Sequence, residues 1–143
     1  MTRDARATRR KSTKQRAAIE EALDRAAGFR SAQELHEELR GTGRRVGLTT
    51  VYRALQDLSD AGEVDVLQSA EGEALYRRCR SADHHHHLVC RSCGASVEVE
   101  GTEVETWTQR VARRHGFTAV THTVEVFGVC RPCGVSERAS RRA

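Results

Sequence analysis

A chain of 143 residues makes one ordinary domain or two small ones. Hydrophobic content of 38% with only 4% aromatic residues limits each core to modest aliphatic packing, and no run of 18 apolar residues is present to span a membrane as a helix. The net charge is +4, yet residues 1–16 alone hold seven Arg/Lys against one Asp, and the other 127 residues sum to −2.

A basic arm ahead of a folded domain suits a polyanion such as DNA. Arg9, Arg10, Lys11, Lys14 and Arg16 are its candidate phosphate contacts. The Arg-rich start has no apolar stretch of the kind a secretory leader needs, so a cytoplasmic protein is expected. In a reducing compartment, five cysteines point to metal ligands before disulfides.

The chain first reads as three helices. Ser12 or Thr13 can cap the first, Ala18, Ile19, Ala22, Leu23 and Ala26 form its apolar stripe, and Gly28 stops it. Ser31 caps the second, with Glu34 three residues on as its capping-box partner. Ala32, Leu35 and Leu39 face inward, and Gly41-Thr42-Gly43 ends it. The third begins near Leu48, buries Val51, Ala54, Leu55 and Leu58, and stops at Ala61-Gly62. Its polar face carries Thr49, Thr50, Tyr52, Arg53 and Gln56, crowded at the N-terminal half, where a recognition helix meets base edges in a major groove. Arg53 suits bidentate base or phosphate contacts, and Tyr52 suits a thymine methyl or a phosphate. A hairpin follows, Glu63–Gln68 and Glu73–Cys79, with Val64 and Val66 alternating with Glu63 and Asp65. Three helices and a hairpin make a winged helix-turn-helix. Antiparallel pairing brings Asp65 and Cys79 together at the hairpin root.

The second half is organised around His84-His85-His86-His87-Leu88-Val89-Cys90-Arg91-Ser92-Cys93. In an extended run, alternate side chains take opposite faces, so His84 and His86 point one way and His85 and His87 the other. His87–Cys90 and Ser96–Glu100 read as strands around the Cys90-x2-Cys93 knuckle. A helix follows from Gly101 or Thr102, with Val104, Trp107 and Val111 on its apolar stripe and Gly116 at its end. Thr118–Val129 reads as one long strand, with Val120, His122, Val124 and Val126 on one face, and the tail from Val135 to Ala143 as disordered.

A second pair, Cys130-x2-Cys133, follows the first after 36 residues. The intervening strand–helix–strand returns the chain to its start, and four thiolates suit a closed, tetrahedral, structural zinc. The remaining donors exceed what one zinc can use. His85 and His87 lead back towards Asp65 and Cys79. His84 and His86 would meet His122 and a carboxylate on the helix, Glu103 or Glu105. Catalytic zinc needs an open position and a base. A hydrolase would leave the basic arm and the third helix's polar face without a role.

In Thr49-Thr50-Val51-Tyr52-Arg53-Ala54-Leu55, His84-His85-His86-His87-Leu88-Val89-Cys90-x2-Cys93, Glu105, His122 and Cys130-x2-Cys133, the chain resembles the ferric uptake regulator (Fur) family, most of all its zinc-responsive branch. The resemblance covers nearly the whole length. It implies an α+β protein with a winged-helix DNA-binding domain over residues 1–80, a hinge with metal ligands over 81–87 and an α/β dimerisation domain over 88–143. It implies a zinc-responsive repressor of zinc uptake and homeostasis genes, not an enzyme: a homodimer on an AT-rich inverted repeat of double-stranded DNA, with two to three Zn2+ per subunit. By match, Cys90, Cys93, Cys130 and Cys133 hold structural zinc. Asp65, Cys79, His85 and His87 form the hinge regulatory site, and His84, His86, Glu105 and His122 a second regulatory site. Glu105 is preferred to Glu103 on that match alone. Iron-sensing relatives often carry Asp where His86 stands. Here the imidazole and the Cys79 thiolate are softer donors that favour zinc. An iron- or peroxide-responsive regulator is the alternative within the same resemblance.

Overall fold

The computed structural model describes residues 2–79 and 83–142, with side chains from residue 13 onward. The chain divides into two compact units, Met1–Arg80 and Ser81–Ala143.

In the first unit the order is α1 (Thr2–Arg25), β1 (Arg30–Ser31), α2 (Ala32–Gly41), α3 (Leu48–Asp60), β2 (Val64–Gln68) and β3 (Ala74–Arg78). The three strands form an antiparallel sheet in the order β1-β3-β2. The capping box at Ser31 is present in both directions. The Glu34 backbone N–H donates to Ser31 Oγ at 3.1 Å, and the Ser31 N–H donates to Glu34 Oε2 at 2.8 Å. It fixes where the strand stub β1 becomes helix, by satisfying N–H groups that a helix start leaves unpaired. Ile19, Leu35, Val51, Leu55 and Leu58 are fully buried where the three helices meet, and Val64 and Tyr76 close the core from the hairpin. This is the winged helix-turn-helix that the apolar spacing implies.

Two local expectations need correction, and one short element leaves no mark in the sequence. The first helix starts at Thr2, ten residues before the Ser12 cap, so the backbone of the basic arm is helical, and it ends at Arg25, short of Gly28. Ala and Arg dominate that arm, and both are good helix formers. The stub β1 has only two residues, too short for any periodic signal, and pairs Arg30 with Tyr76.

In the second unit the order is β4 (His86–Cys90), β5 (Ser96–Val99), α4 (Thr102–His115), β6 (Glu125–Gly128) and α5 (Arg131–Arg142). The sheet order is β5-β4-β6, with β4 antiparallel to β5 and parallel to β6. Helix α4 closes on Gly116, which takes the left-handed conformation (φ 73°) that costs glycine nothing. Only the end of the expected Thr118–Val129 strand is strand. Ala119 sits at φ 52°, which breaks extended backbone, and residues 117–124 run without a ladder partner among the described residues. Residues 135–142 of the tail read as disordered lie in helix α5.

The first unit carries the hydrophobic core, so its stability should follow packing. Leu55→Ala should cost the first unit about 2–5 kcal/mol, and Ser31→Ala about 1 kcal/mol through the lost cap. Urea titration followed by amide signals of the first unit measures both.

Candidate metal centres and nucleic-acid face

Parallel register builds the four-cysteine cluster. Pairing of β4 with β6 sets Cys90 beside Gly128, so the chain leaving β6 delivers Cys130 back to Cys90. The Cys130 N–H donates to Cys90 Sγ at 3.3 Å. Around the first knuckle, the Gly94 N–H donates to the Cys90 carbonyl at 2.9 Å and the Cys90 N–H to the Ala95 carbonyl at 2.8 Å. Around the second, the Gly134 N–H donates to the Cys130 carbonyl at 2.9 Å, which carries Cys133 into the first turns of α5. Ser92 Oγ bonds Glu137 of α5 at 3.1 Å and ties the two knuckles together.

The four sulfurs all lie within 4.8 Å of one another, and Cys93 and Cys130 stand 3.7 Å apart. A disulfide needs about 2.05 Å. A zinc–sulfur bond of about 2.3 Å gives a tetrahedron with edges of about 3.8 Å, so the cluster fits zinc as it stands. The Cys130 backbone N–H, with those of Cys93 and Ser92, lowers the Cys90 thiol to about 6. Hydrogen bonds from Cys130 and Cys93 push the Cys133 thiol up to about 12. Cys90 is therefore primed as thiolate, while Cys133 holds a proton that a metal would replace.

The odd-and-even division of the histidine run holds. On one side, His84, His86 and His122 aim their Nε2 atoms at one carboxylate oxygen, Glu105 Oε1, at 3.1, 3.0 and 2.9 Å. His84 and His122 are 3.0 Å apart between Nε2 atoms. Helix α4 presents Glu105 from its first turn, where the Glu105 N–H donates to the Gly101 carbonyl at 2.9 Å. His86 is buried on β4 against the bare backbone of Gly101, where a Cβ would come within 2.7 Å of Nε2. One oxygen has two lone pairs and cannot accept from three N–H groups in good geometry. A cation at the centre resolves this, because each imidazole then turns a lone pair inward. Three nitrogens and one oxygen at bond lengths near 2.05 Å make edges of about 3.3 Å, close to those present. Burial alone would raise the Glu105 carboxyl, but the bond from His86 and the charges of His122 and His84 outweigh it, and the pKa is lowered. Glu105, not Glu103, joins the three histidines.

On the other side of β4, the His85 and His87 rings stand edge to face, 4.8 Å between centroids. His85 Nδ1 donates to the Asp83 carbonyl at 2.7 Å, which fixes the tautomer and puts the ring's lone pair on Nε2. No sequence signal marks that carbonyl, since any residue supplies one. In the first unit, Asp65 lies across from Arg77, and the Cys79 N–H donates to the Glu63 carbonyl at 3.1 Å. That register puts Asp65 and Cys79 on one face of the hairpin, a single diagonal apart.

The outer face of α3 presents Thr49, Tyr52, Arg53 and Gln56 to solvent, with Thr50 half-buried and Tyr52 46% exposed. Lys14 on α1 is also exposed. Arg16 is committed within its unit to Glu20 (2.8 Å) and Glu63 (3.4 Å). The side chains of Arg9, Arg10 and Lys11 lie outside the described residues.

Residues 7–127 match the sequence pattern of the ferric uptake regulator family. The chain is 57% identical over 123 residues to the zinc uptake regulation protein of Mycobacterium tuberculosis (strain ATCC 25618 / H37Rv), covering 86% of this chain and 94% of that protein. Among solved structures it is similar to FurB from M. tuberculosis, a zinc uptake regulator, at 57% identity and a TM-score of 0.52, covering 85% and 94% of the two chains. It is also similar to a zinc uptake regulator complexed with zinc and DNA, at 27% identity and a TM-score of 0.65, covering 87% and 83%.

Two metal-removal outcomes follow from these geometries. Cys93→Ser should abolish one tightly held zinc equivalent by native mass spectrometry and melt the second unit while amide protection in the first unit persists. Glu105→Ala should leave that zinc in place and weaken a separate, exchangeable site on the order of tenfold or more, since even outer-shell partners are worth 10–100-fold.

Proposed function

The chain belongs to the ferric uptake regulator family, a family of regulators and not of enzymes, and from that premise we propose that it is a zinc-responsive DNA-binding repressor of zinc uptake and homeostasis genes. The metal reading is carried by β4: one strand sends its imidazoles alternately to two donor sets and ends in the thiolate cluster. The likeness to zinc uptake regulators, one of them bound to zinc and DNA, supports the same reading.

In this proposal the protein is a cytoplasmic homodimer, and residues 88–143 form its dimerisation domain. Residues 1–80 bind an AT-rich inverted repeat, with α3 in the major groove. Thr49, Thr50, Tyr52 and Arg53 read or brace that groove, while Lys14, Arg16 and the arm residues Arg9, Arg10 and Lys11 meet the backbone. Arg16 would exchange its pairs with Glu20 and Glu63 for a phosphate, which makes its backbone contact weaker than that of the exposed Lys14.

Two to three zinc ions per subunit are assigned. Cys90, Cys93, Cys130 and Cys133 hold the structural one. Asp65 and Cys79 from the hairpin, with His85 and His87 from the 81–87 hinge and β4, hold the regulatory one. His84, His86, Glu105 and His122 hold a second regulatory ion. When bound, zinc supplies a divalent Lewis acid that takes four N, S or O donors at fixed angles. The hinge donors come from both units, so satisfying them together restricts how the winged helix moves and raises the population that can span two half-sites. By linkage, DNA tightens zinc binding by the same factor.

The test is DNA-binding anisotropy against buffered free zinc, on an AT-rich palindrome, with iron and manganese in parallel. Wild type should bind steeply with zinc. Cys79→Ser/His85→Ala should lose that zinc response while keeping its four-cysteine zinc. Arg53→Ala should keep the zinc response but lose about 1–3 kcal/mol of sequence discrimination. Full zinc-dependent binding by the Cys79→Ser/His85→Ala protein would rule out the hinge clamp, and a steeper response to iron would point to the alternative sensor.

A further inference from the structure

From Arg40 to Gln56 the chain holds four arginines and not one Asp or Glu, although 20 acidic residues are spread over the whole sequence. Three of these arginines, Arg40, Arg44 and Arg45, sit at the turn between α2 and α3. With His36 and the backbone of Gly43 and Gly47, they line a single concavity of about 700 Å³. All three are exposed.

The turn is built rigidly. Gly43 takes φ 75°, its N–H donates to the Arg40 carbonyl at 3.0 Å, and the Arg44 N–H donates to the Leu39 carbonyl at 2.9 Å. Val46 is buried in the core, and the Arg45 carbonyl accepts from Gln15 Nε2 at 3.3 Å. The backbone is pinned on both sides while the guanidinium groups remain outside. Among the described residues the one acid paired with them is Glu21, 3.4 Å from Arg44 and shared with Arg25 at 3.0 Å. That pair is exposed on both sides and is readily exchanged for a stronger anion.

The start of α3 opens on the same concavity. Its cap, Gly47, makes no side-chain bond, and its first turn contains no acid, so the positive end of the helix adds to the arginines. By contrast, Ser31 and Glu34 close the start of α2, and Glu103 and Glu105 lie in the first turn of α4. Clustered guanidinium groups in a concave, acid-free setting match the tetrahedral oxygens of a phosphate diester.

We propose that Arg40, Arg44 and Arg45 form a cradle for a backbone phosphate of DNA, beside the groove entered by α3. This rests on the DNA-binding reading above and adds a site to it: an anchor that sets how deep and at what register α3 sits, without reading sequence.

The experiment is anisotropy of the full-length, zinc-saturated protein over a range of salt concentrations, on the AT-rich palindrome and on a random duplex. Wild type and Arg44→Ala/Arg45→Ala are compared, with zinc content and thermal unfolding measured on both. The one lost phosphate contact should flatten the slope of log K against log salt by about 0.9 per half-site. Binding to both duplexes should weaken on the order of tenfold or more, with zinc content unchanged. Arg44→Gln/Arg45→Gln carries the same expectation should the alanine variant fail to fold. If wild type binds and both variants keep its slope and affinity, the cradle is wrong and the repressor reading stands. A loss confined to the palindrome would also overturn it, since these residues would then be reading bases. Absence of DNA binding by wild type would overturn both readings.

Discussion

Strand β4 is the constraint on which the second half of the molecule depends. Its period of two is absolute: a one-residue slip would send every imidazole to the other face. The register His86 to Val99, His87 to Glu98 and Leu88 to Val97 fixes that choice on one side, and the parallel register with β6 fixes it on the other. The same ladder then positions Cys90 beside Gly128 and so closes the thiol cluster. Three donor sets thus draw on one five-residue strand and its two preceding histidines, and none can be built correctly if the strand shifts.

The two units are stabilised by different physics. The first buries a contiguous aliphatic core of helices and hairpin. In the second, the buried residues among those described are His86, His87, Val89 and Cys90, while α4 and α5 bury none. Leu88, Val97 and Val126 form an exposed row across all three strands, and Trp107 and Phe117 are more than half exposed. So little apolar burial cannot offset the chain entropy of ordering about sixty residues. Metal coordination and association with another surface must supply the difference, as small scaffolds require. The proposed four-cysteine zinc would in this sense be part of the second unit's core, and the exposed apolar row is the face that a second subunit would cover in the proposed homodimer.

Much of this was legible because it rests on periodicity and on donor chemistry. Apolar spacing of three and four marks α2 and α3, and the Ser31–Glu34 box marks the start of α2. Alternation in the histidine run divided its ligands between two faces before any coordinate was known. The misreadings fall where tertiary context decides. Residues 117–124 alternate like a strand, but a strand needs a neighbour, and none is described within the chain. The tail from Val135 to Ala143 reads as disordered in the sequence, yet residues 135–142 lie in α5. They are helical because Cys130 and Cys133 anchor the start of α5 and Glu137 bonds back to Ser92. Glu105 and Glu103 are indistinguishable by spacing, and only the folded contacts of Glu105 Oε1 with His86 and His122 select between them. The cradle at the α2–α3 turn left a compositional trace, seventeen residues without an acid, that gains meaning once the turn gathers its arginines around one concavity.

The donor sets also order themselves by how readily each can give up a metal. Four thiolates around a partly enclosed centre, anchored by Cys90 at 5% exposure, bind a soft divalent ion with no open position. On the proposed assignment, losing that ion would cost the second unit its fold, so the site would not report on scarcity. The histidine sets differ in both respects. His84 and Glu105 keep side-chain exposures of 53% and 39%, and neutral imidazoles bind zinc less tightly than thiolates. Their ligands are positioned by secondary structure that exists without them: β4 by its ladders, Glu105 by α4, His85 by the Asp83 carbonyl. Such sites can fill and empty while the scaffold persists, which is what a sensor of free zinc requires. The division between a permanent and an exchangeable metal is therefore written in donor type and burial before any affinity is measured.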